Sequence, residues 1–100
     1  MKILELTKEN FEQTIASGTT LVDFWAAWCG PCRMQGPVLE VFAQQQDTVQ
    51  VAKVNVDEQP ALAAQFGVMS IPTLIAFRDG EPLAKRVGLS RIEEIEEMCK

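Results

Sequence analysis

The chain has 100 residues, enough for one domain that buries roughly 65% of its unfolded surface and needs no staple to fold. Hydrophobic residues make up 47% of it, which excludes a disordered chain. Nine basic and fourteen acidic residues leave a net charge of −5, which disfavours nucleic acid or an anionic membrane as the main partner, and no apolar run approaches the ~20 residues of a membrane span.

Ile3 to Leu6 is the first predicted strand. Glu5 interrupts the apolar run there, so no signal peptide is expected, and the reducing cytoplasm is the expected compartment. Thr7 is a candidate N-cap for a helix over residues 8–17. Leu6 and Phe11 stand at the positions of a hydrophobic staple, Phe11 and Ile15 form the apolar side, and Gly18 marks the end. Leu21 to Ala26 is a second strand, apolar apart from Asp23. A helix follows to about Gln46, where Met34, Val38, Val41 and Phe42 recur at i, i+4, i+7 and i+8, and Pro37 should kink it. Val49 to Val56 is a strand with Lys53 set in it. Pro60 starts a short helix that ends at Gly67. Ile71-Pro72-Thr73 precedes the apolar strand Leu74 to Phe77, Asp79-Gly80 is a hairpin signal, and Pro82 to Val87 is the partner strand. Ser90-Arg91-Ile92-Glu93 is a capping box for a last helix with Ile92, Ile95 and Cys99 inward. The order β-α-β-α-β-α-β-β-α describes an α/β chain whose mixed sheet carries helices on both faces.

Trp28-Cys29-Gly30-Pro31-Cys32 falls on the turn between the second strand and the long helix. Gly30 is the expected N-cap, Pro31 the first helical residue and Cys32 the second. Unpaired N–H groups and the positive end of the helix dipole face this turn and favour a thiolate. Cys29, expected to be the more exposed, is the candidate nucleophile on a substrate disulfide; Cys32 would then attack Cys29 and release the substrate reduced, leaving a Cys29–Cys32 disulfide. Half of a zinc site is the competing use of the pair. Zinc wants four ligands, and the chain has no His and one further cysteine, Cys99, so no metal is expected. Cys99 is expected to pack as a small hydrophobe, with a regulatory thiol as the alternative. Asp23 is either an acid facing water at a strand end or a buried carboxylate whose pKa rises. Lys53 and Trp28 are similarly open: a lysine snorkelling to solvent or set beside an acid, and an aromatic in the core or on the surface around the thiols.

The run Val22-Asp23-Phe24-Trp25-Ala26-Ala27-Trp28-Cys29-Gly30-Pro31-Cys32-Arg33-Met34 resembles the thioredoxin family. Pro37, Lys53, Val56-Asp57, Ile71-Pro72-Thr73-Leu74, Gly80 and Gly88 extend the match nearly end to end. The resemblance implies a thioredoxin fold in a single domain over residues 1–100 and general protein-disulfide reductase activity. It implies no cofactor beyond the dithiol, re-reduction by a thioredoxin reductase, diverse disulfide-containing target proteins and a monomer. It implies that Asp23 exchanges a proton with Cys32 and that Lys53 neighbours Asp23 and lowers the cost of ionising it. It also implies a cis Ile71–Pro72 bond, against a base rate of ~5–6% for X–Pro bonds, with Pro72 against the motif and the Ser70 backbone free to pair with an extended substrate. Trp28, Ile71, Val87, Gly88 and Leu89 would then form the apolar binding surface around Cys29.

The departures from the family pattern are mild. Arg33 stands where Lys is common, and Ser70 where Gly is common. Gln35-Gly36 replaces an apolar or Ala pair, which predicts a looser helix before Pro37. Two other functions compete. An oxidase or isomerase is disfavoured because no His lies between the cysteines and no export signal is expected. A binding module without turnover is disfavoured by the intact CGPC.

Overall fold

The computed structural model describes residues 2–100; Met1 lies outside them. The elements are β1 (Leu4–Glu5), α1 (Phe11–Ile15), β2 (Thr19–Trp25), α2 (Gly30–Gln45), β3 (Val49–Asn55), α3 (Pro60–Gln65), β4 (Thr73–Arg78), β5 (Glu81–Val87) and α4 (Ile92–Met98), in the expected order. The sheet runs β1-β3-β2-β4-β5. β3 is parallel to both β1 and β2, and β4 is antiparallel to β2 and β5. The two parallel steps need crossovers, which α1 and α2 supply, whereas β4 and β5 are joined by a tight turn. In that turn Asp79 and Gly80 have φ of 51° and 87°, as a two-residue hairpin turn requires.

Alternation along the central strands divides the interior in two. Leu21 of β2, Val49 and Val51 of β3 and Leu74 and Ala76 of β4 face α2 and α4, where they meet Leu39, Phe42, Ile95 and Met98. Val22, Phe24, Ala52, Val54, Ile75 and Phe77 face the opposite way, onto Phe11, Ile15 and Leu62 of α1 and α3. Rings of Phe11, Phe66 and Phe77 pack there with centroids 5.2–5.6 Å apart. The strand period of two therefore sets Asp23 and Lys53 on the α2 side of the sheet, between residues that contact that helix.

Several boundaries differ from the sequence expectation for identifiable reasons. α1 is shorter than residues 8–17. The Thr7 N–H donates to Asn10 Oδ1 at 2.7 Å, and the Asn10 and Phe11 N–H groups reach the Thr7 carbonyl, so residues 7–10 close a separate turn and Asn10 takes the N-cap. Leu6 and Phe11 are nonetheless both buried in one cluster. The inward stripe of α2 is Cys32, Gln35, Leu39, Phe42 and Ala43, whereas Met34 and Val41 are exposed. A polar residue at 35 hid this register from the hydrophobic pattern. The helix continues through Pro37 without interruption, and Gln35 is held by two hydrogen bonds, so it does not behave as the looser segment expected. Ser90 does not cap α4. Its N–H and C=O are bonded to Gln35, and its Oγ accepts from Arg86 Nε at 3.1 Å. Arg91 is the N-cap instead, and its N–H donates to Glu94 Oε1 at 2.8 Å. Cys99 follows the helix as its C-cap.

Candidate functional site

β2 and β3 end, and β4 begins, at one edge of the sheet, where Trp25 lies opposite Asn55 and Phe24 opposite Thr73. The chain leaves β2 at this edge and turns directly into α2. The N-cap of α2 is Cys29, at φ −90° and ψ 114°, so Gly30 and Pro31 are the first two helical residues and Cys32 the third. This corrects the expected cap at Gly30 by one position. The Cys29 sulfur fills the role of the capping oxygen: it accepts the Cys32 N–H at 3.2 Å. Cys29 and Cys32 lie at disulfide distance, with Cα atoms 5.2 Å apart. Both residues are only 4% exposed, so the expectation that Cys29 is the more open fails. Position on the helix distinguishes them, and accessibility does not.

The loop before β4 supplies the other wall. The Ile71–Pro72 peptide is cis, and Pro72 is buried. The Ile71 carbonyl oxygen lies 3.8 Å from the Cys29 sulfur. Thr73 Oγ1 donates to the Ser70 carbonyl at 2.6 Å and closes the turn, so that carbonyl is already engaged. The Pro72 carbonyl accepts the Gly88 N–H at 2.8 Å, which draws the end of β5 to the same edge. Gly88 has φ of 94°, a conformation that excludes ordinary side chains and leaves the backbone bare there. Trp28 is 68% exposed and therefore a surface residue. It is anchored by a 2.9 Å hydrogen bond from its Nε1 to Asp57 Oδ2. Val87 and Leu89 are also exposed, while Ile71 is half-buried. A cleft of about 370 Å³ runs between Trp28, Val56, Val68, Met69, Ser70 and Ile71.

Behind the cysteines, Asp23 is fully buried, and neither carboxylate oxygen has a hydrogen-bond partner among the described residues. Burial pushes its pKa up to about 7, a rise that Lys53 opposes and Glu5 reinforces. The strand register explains both neighbours, since Glu5, Lys53 and Asp23 stand abreast on β1, β3 and β2. Lys53 is half-buried, with its Nζ 5.0 Å from the centre of the Trp25 ring. A second cleft, lined by Trp25, Ala26, Cys32, Arg33, Gly36 and Lys53 among others, opens beside these groups. Cys99 is remote from this edge, in the core under α2 and α4, where burial pushes its thiol up to about 11.

The structure thus gathers Cys29, Gly30, Pro31, Cys32, Trp28, Ser70, Ile71, Pro72, Val87 and Gly88 at one edge, with Asp23 and Lys53 beneath. Three neighbours had no assigned place in the sequence reading. Asp57 was visible only as part of the family motif. Met69, 97% exposed on the cleft, follows no periodicity. Glu5 is linked to the acid only through strand pairing.

Comparison with known proteins agrees with this geometry. The thioredoxin family model matches residues 2–100. A thioredoxin of Staphylococcus saprophyticus is 52% identical over 101 residues, covering 100% of this chain and 97% of the relative. One from Alicyclobacillus acidocaldarius is 55% identical over 95 residues, covering 93% and 90%. A solved mutant thioredoxin from Halobacterium salinarum NRC-1 superposes with a TM-score of 0.90 at 38% identity, over 98% of this chain and 88% of the other. Among the described residues no helix is long and apolar enough to cross a membrane. A family match spanning the described chain, with relatives identical at half their positions, leaves one assignment: the chain belongs to the thioredoxin family and is a protein-disulfide oxidoreductase with a redox-active cysteine pair.

Proposed function

We propose that this chain, acting as one monomeric domain in the reducing cytoplasm, is a general protein-disulfide reductase that takes its electrons from a thioredoxin reductase. The observation that carries the reading is the Cys29 sulfur as N-cap of α2, accepting the Cys32 N–H. In the reduced protein that N–H and the helix N-terminus would stabilise a Cys29 thiolate. The thiolate attacks one sulfur of a substrate disulfide. The substrate S–S bond breaks, a mixed disulfide to Cys29 forms, and one substrate thiolate departs. Cys32 then loses its proton and attacks the Cys29 sulfur. The mixed disulfide breaks, the second substrate thiolate leaves, and two electrons have passed from the dithiol to the substrate.

Asp23 is the proposed acceptor of the Cys32 proton, with water in the cleft beside Cys32 and Lys53 as the relay. A carboxyl that ionises at about 7 suits this task, because both of its forms are populated at neutral pH. Lys53 keeps that value from rising further. Trp28, Ile71, Pro72, Val87 and Gly88 would hold an extended substrate segment along the groove, with pairing to the Ser70 backbone. Gly30 and Pro31 fix the turn that holds the two sulfurs together.

Two measurements test the reading. Titration of the Cys29–Cys32 pair against a dithiol buffer series should give a two-electron midpoint close to the thioredoxin reference value of about −270 mV, and a midpoint of about −120 to −180 mV would make the protein an oxidant or isomerase. Cys32→Ser should accumulate a mixed disulfide through Cys29 with target proteins. Targets retained without that covalent bond, and equally by the Cys29→Ser/Cys32→Ser double variant, would indicate a binding module.

A further inference from the structure

Gln35 is fully buried on α2, one turn after Cys32, and the chemistry described above makes no use of it. Its carboxamide is spent entirely on one residue. Nε2 donates to the Ser90 carbonyl at 3.0 Å, and Oε1 accepts the Ser90 N–H at 2.8 Å. Ser90 is itself buried, and its hydroxyl accepts from Arg86, whose guanidinium also pairs with Glu94 at 2.6 Å. The segment between β5 and α4 is thereby fixed at two points. Gly88 is tied to the Pro72 carbonyl, and Ser90 is tied to the helix that carries both cysteines. Leu89, exposed between these ties, has its backbone held on both sides.

We infer that Gln35 is a positioning residue that sets the Gly88–Ser90 wall of the substrate groove relative to the Cys29 sulfur, and so governs affinity for extended polypeptide disulfides. This rests on the proposed reduction of protein disulfides. An apolar side chain at 35 could fill the same space, but it would leave a buried N–H and C=O on Ser90 unpaired, and the segment would shift to find partners. Displacing a groove wall weakens every contact a long substrate makes along it. A small disulfide that touches only the sulfurs is indifferent to the wall, and the Cys29–Cys32 pair has no contact with the amide among the hydrogen bonds described.

Gln35→Met, which keeps the length and flexibility of the side chain, tests this. Prereduced protein freed of reductant is mixed in stopped flow with excess insulin, or with the small aromatic disulfide dithiobis(nitrobenzoate). The variant is expected to raise the half-saturating insulin concentration about tenfold, the scale of one lost buried hydrogen-bond partner. The limiting rate, the rate with the small disulfide and the Cys29–Cys32 midpoint should stay within about twofold of wild type. An unchanged half-saturation, or equal losses with both disulfides, overturns the inference. Should Gln35→Met not fold, Gln35→Glu keeps the acceptor for the Ser90 N–H and is expected to show the same split at smaller size; an unchanged half-saturation there overturns it as well. Failure of the wild type to reduce insulin at all would be a different result, and would remove the functional reading beneath the inference.

Discussion

Replacing Asp23 by Asn isolates what the buried carboxylate costs the fold. The group ionises at 3.8 when exposed and at about 7 in the folded protein. Below 3.8 it is protonated in both states and costs nothing. As pH rises from 3.8 towards 7, the unfolded chain releases the proton while the folded chain retains it, so stability is progressively lost. Above 7 both states are ionised and the penalty stays constant. Roughly three pH units at about 1.36 kcal/mol each give a full penalty of about 4 kcal/mol, with about 2 kcal/mol already present near pH 5. The Asn amide adds a fixed cost of its own, about 1–3 kcal/mol for an unpaired buried group, which does not change with pH. Whatever that offset, Asp23→Asn should gain on the wild type by about 2–3 kcal/mol between about pH 5 and about pH 8.5. Guanidinium unfolding with the disulfide intact, followed by the fluorescence of Trp25 and Trp28, reads the gain as a gap in midpoints that widens with pH. A gap of constant width across the range would refute the argument that burial keeps this carboxyl neutral below 7. The same variant should slow substrate reduction, and unchanged kinetics would remove Asp23 from proton transfer.

Lys53→Met takes away the charge that lowers the Asp23 pKa, so the rising limb of the pH–rate profile should move to higher pH; an unmoved profile would separate Lys53 from the acid. The Cys99 thiol, pushed up to about 11, should be alkylated at neutral pH about two orders of magnitude more slowly than an exposed cysteine, as peptide mass spectrometry can measure. A disulfide-linked dimer formed under oxidant and lost in Cys99→Ser would contradict that inertness. Leu39→Ala, at a fully buried position under the motif helix, should lower unfolding stability by about 2–5 kcal/mol in denaturant titration, and a loss under about 1 kcal/mol would mean that the site collapses around the smaller side chain.

The element order was legible because the strongest signals agree with one another. Apolar strands, an Asp-Gly hairpin and a proline at the head of α3 each point to the same chain path. Helix starts were less legible, since a cap is defined by which atom accepts an N–H. Nothing in the sequence distinguishes the Cys29 sulfur from Gly30 as the start of α2, or Arg91 from Ser90 as the start of α4. The inward face of α2 was misread for a related reason. Hydrophobic patterning assigns a glutamine to water, and only the Ser90 backbone, 55 positions away in sequence, makes its burial affordable. Asp23 was legible as an anomaly, a carboxylate in an apolar strand, but its depth and its alignment with Lys53 and Glu5 emerge only from strand pairing.

Arg78 closes β4 at the end of the sheet farthest from the cysteines. Its Nε donates to Thr19 Oγ1, and its Nη2 reaches the carbonyls of Cys99 and Lys100 at 3.0 and 3.1 Å. The last two residues are thus held at one pole of the molecule while Pro72 and the thiols occupy the other, separated by the length of β4, roughly 17–20 Å. A surface linkage or fluorophore attached through Lys100 would leave the groove pointing into solution. That gives the protein a natural handle for immobilised redox measurements in which every molecule presents its reactive edge to the substrate.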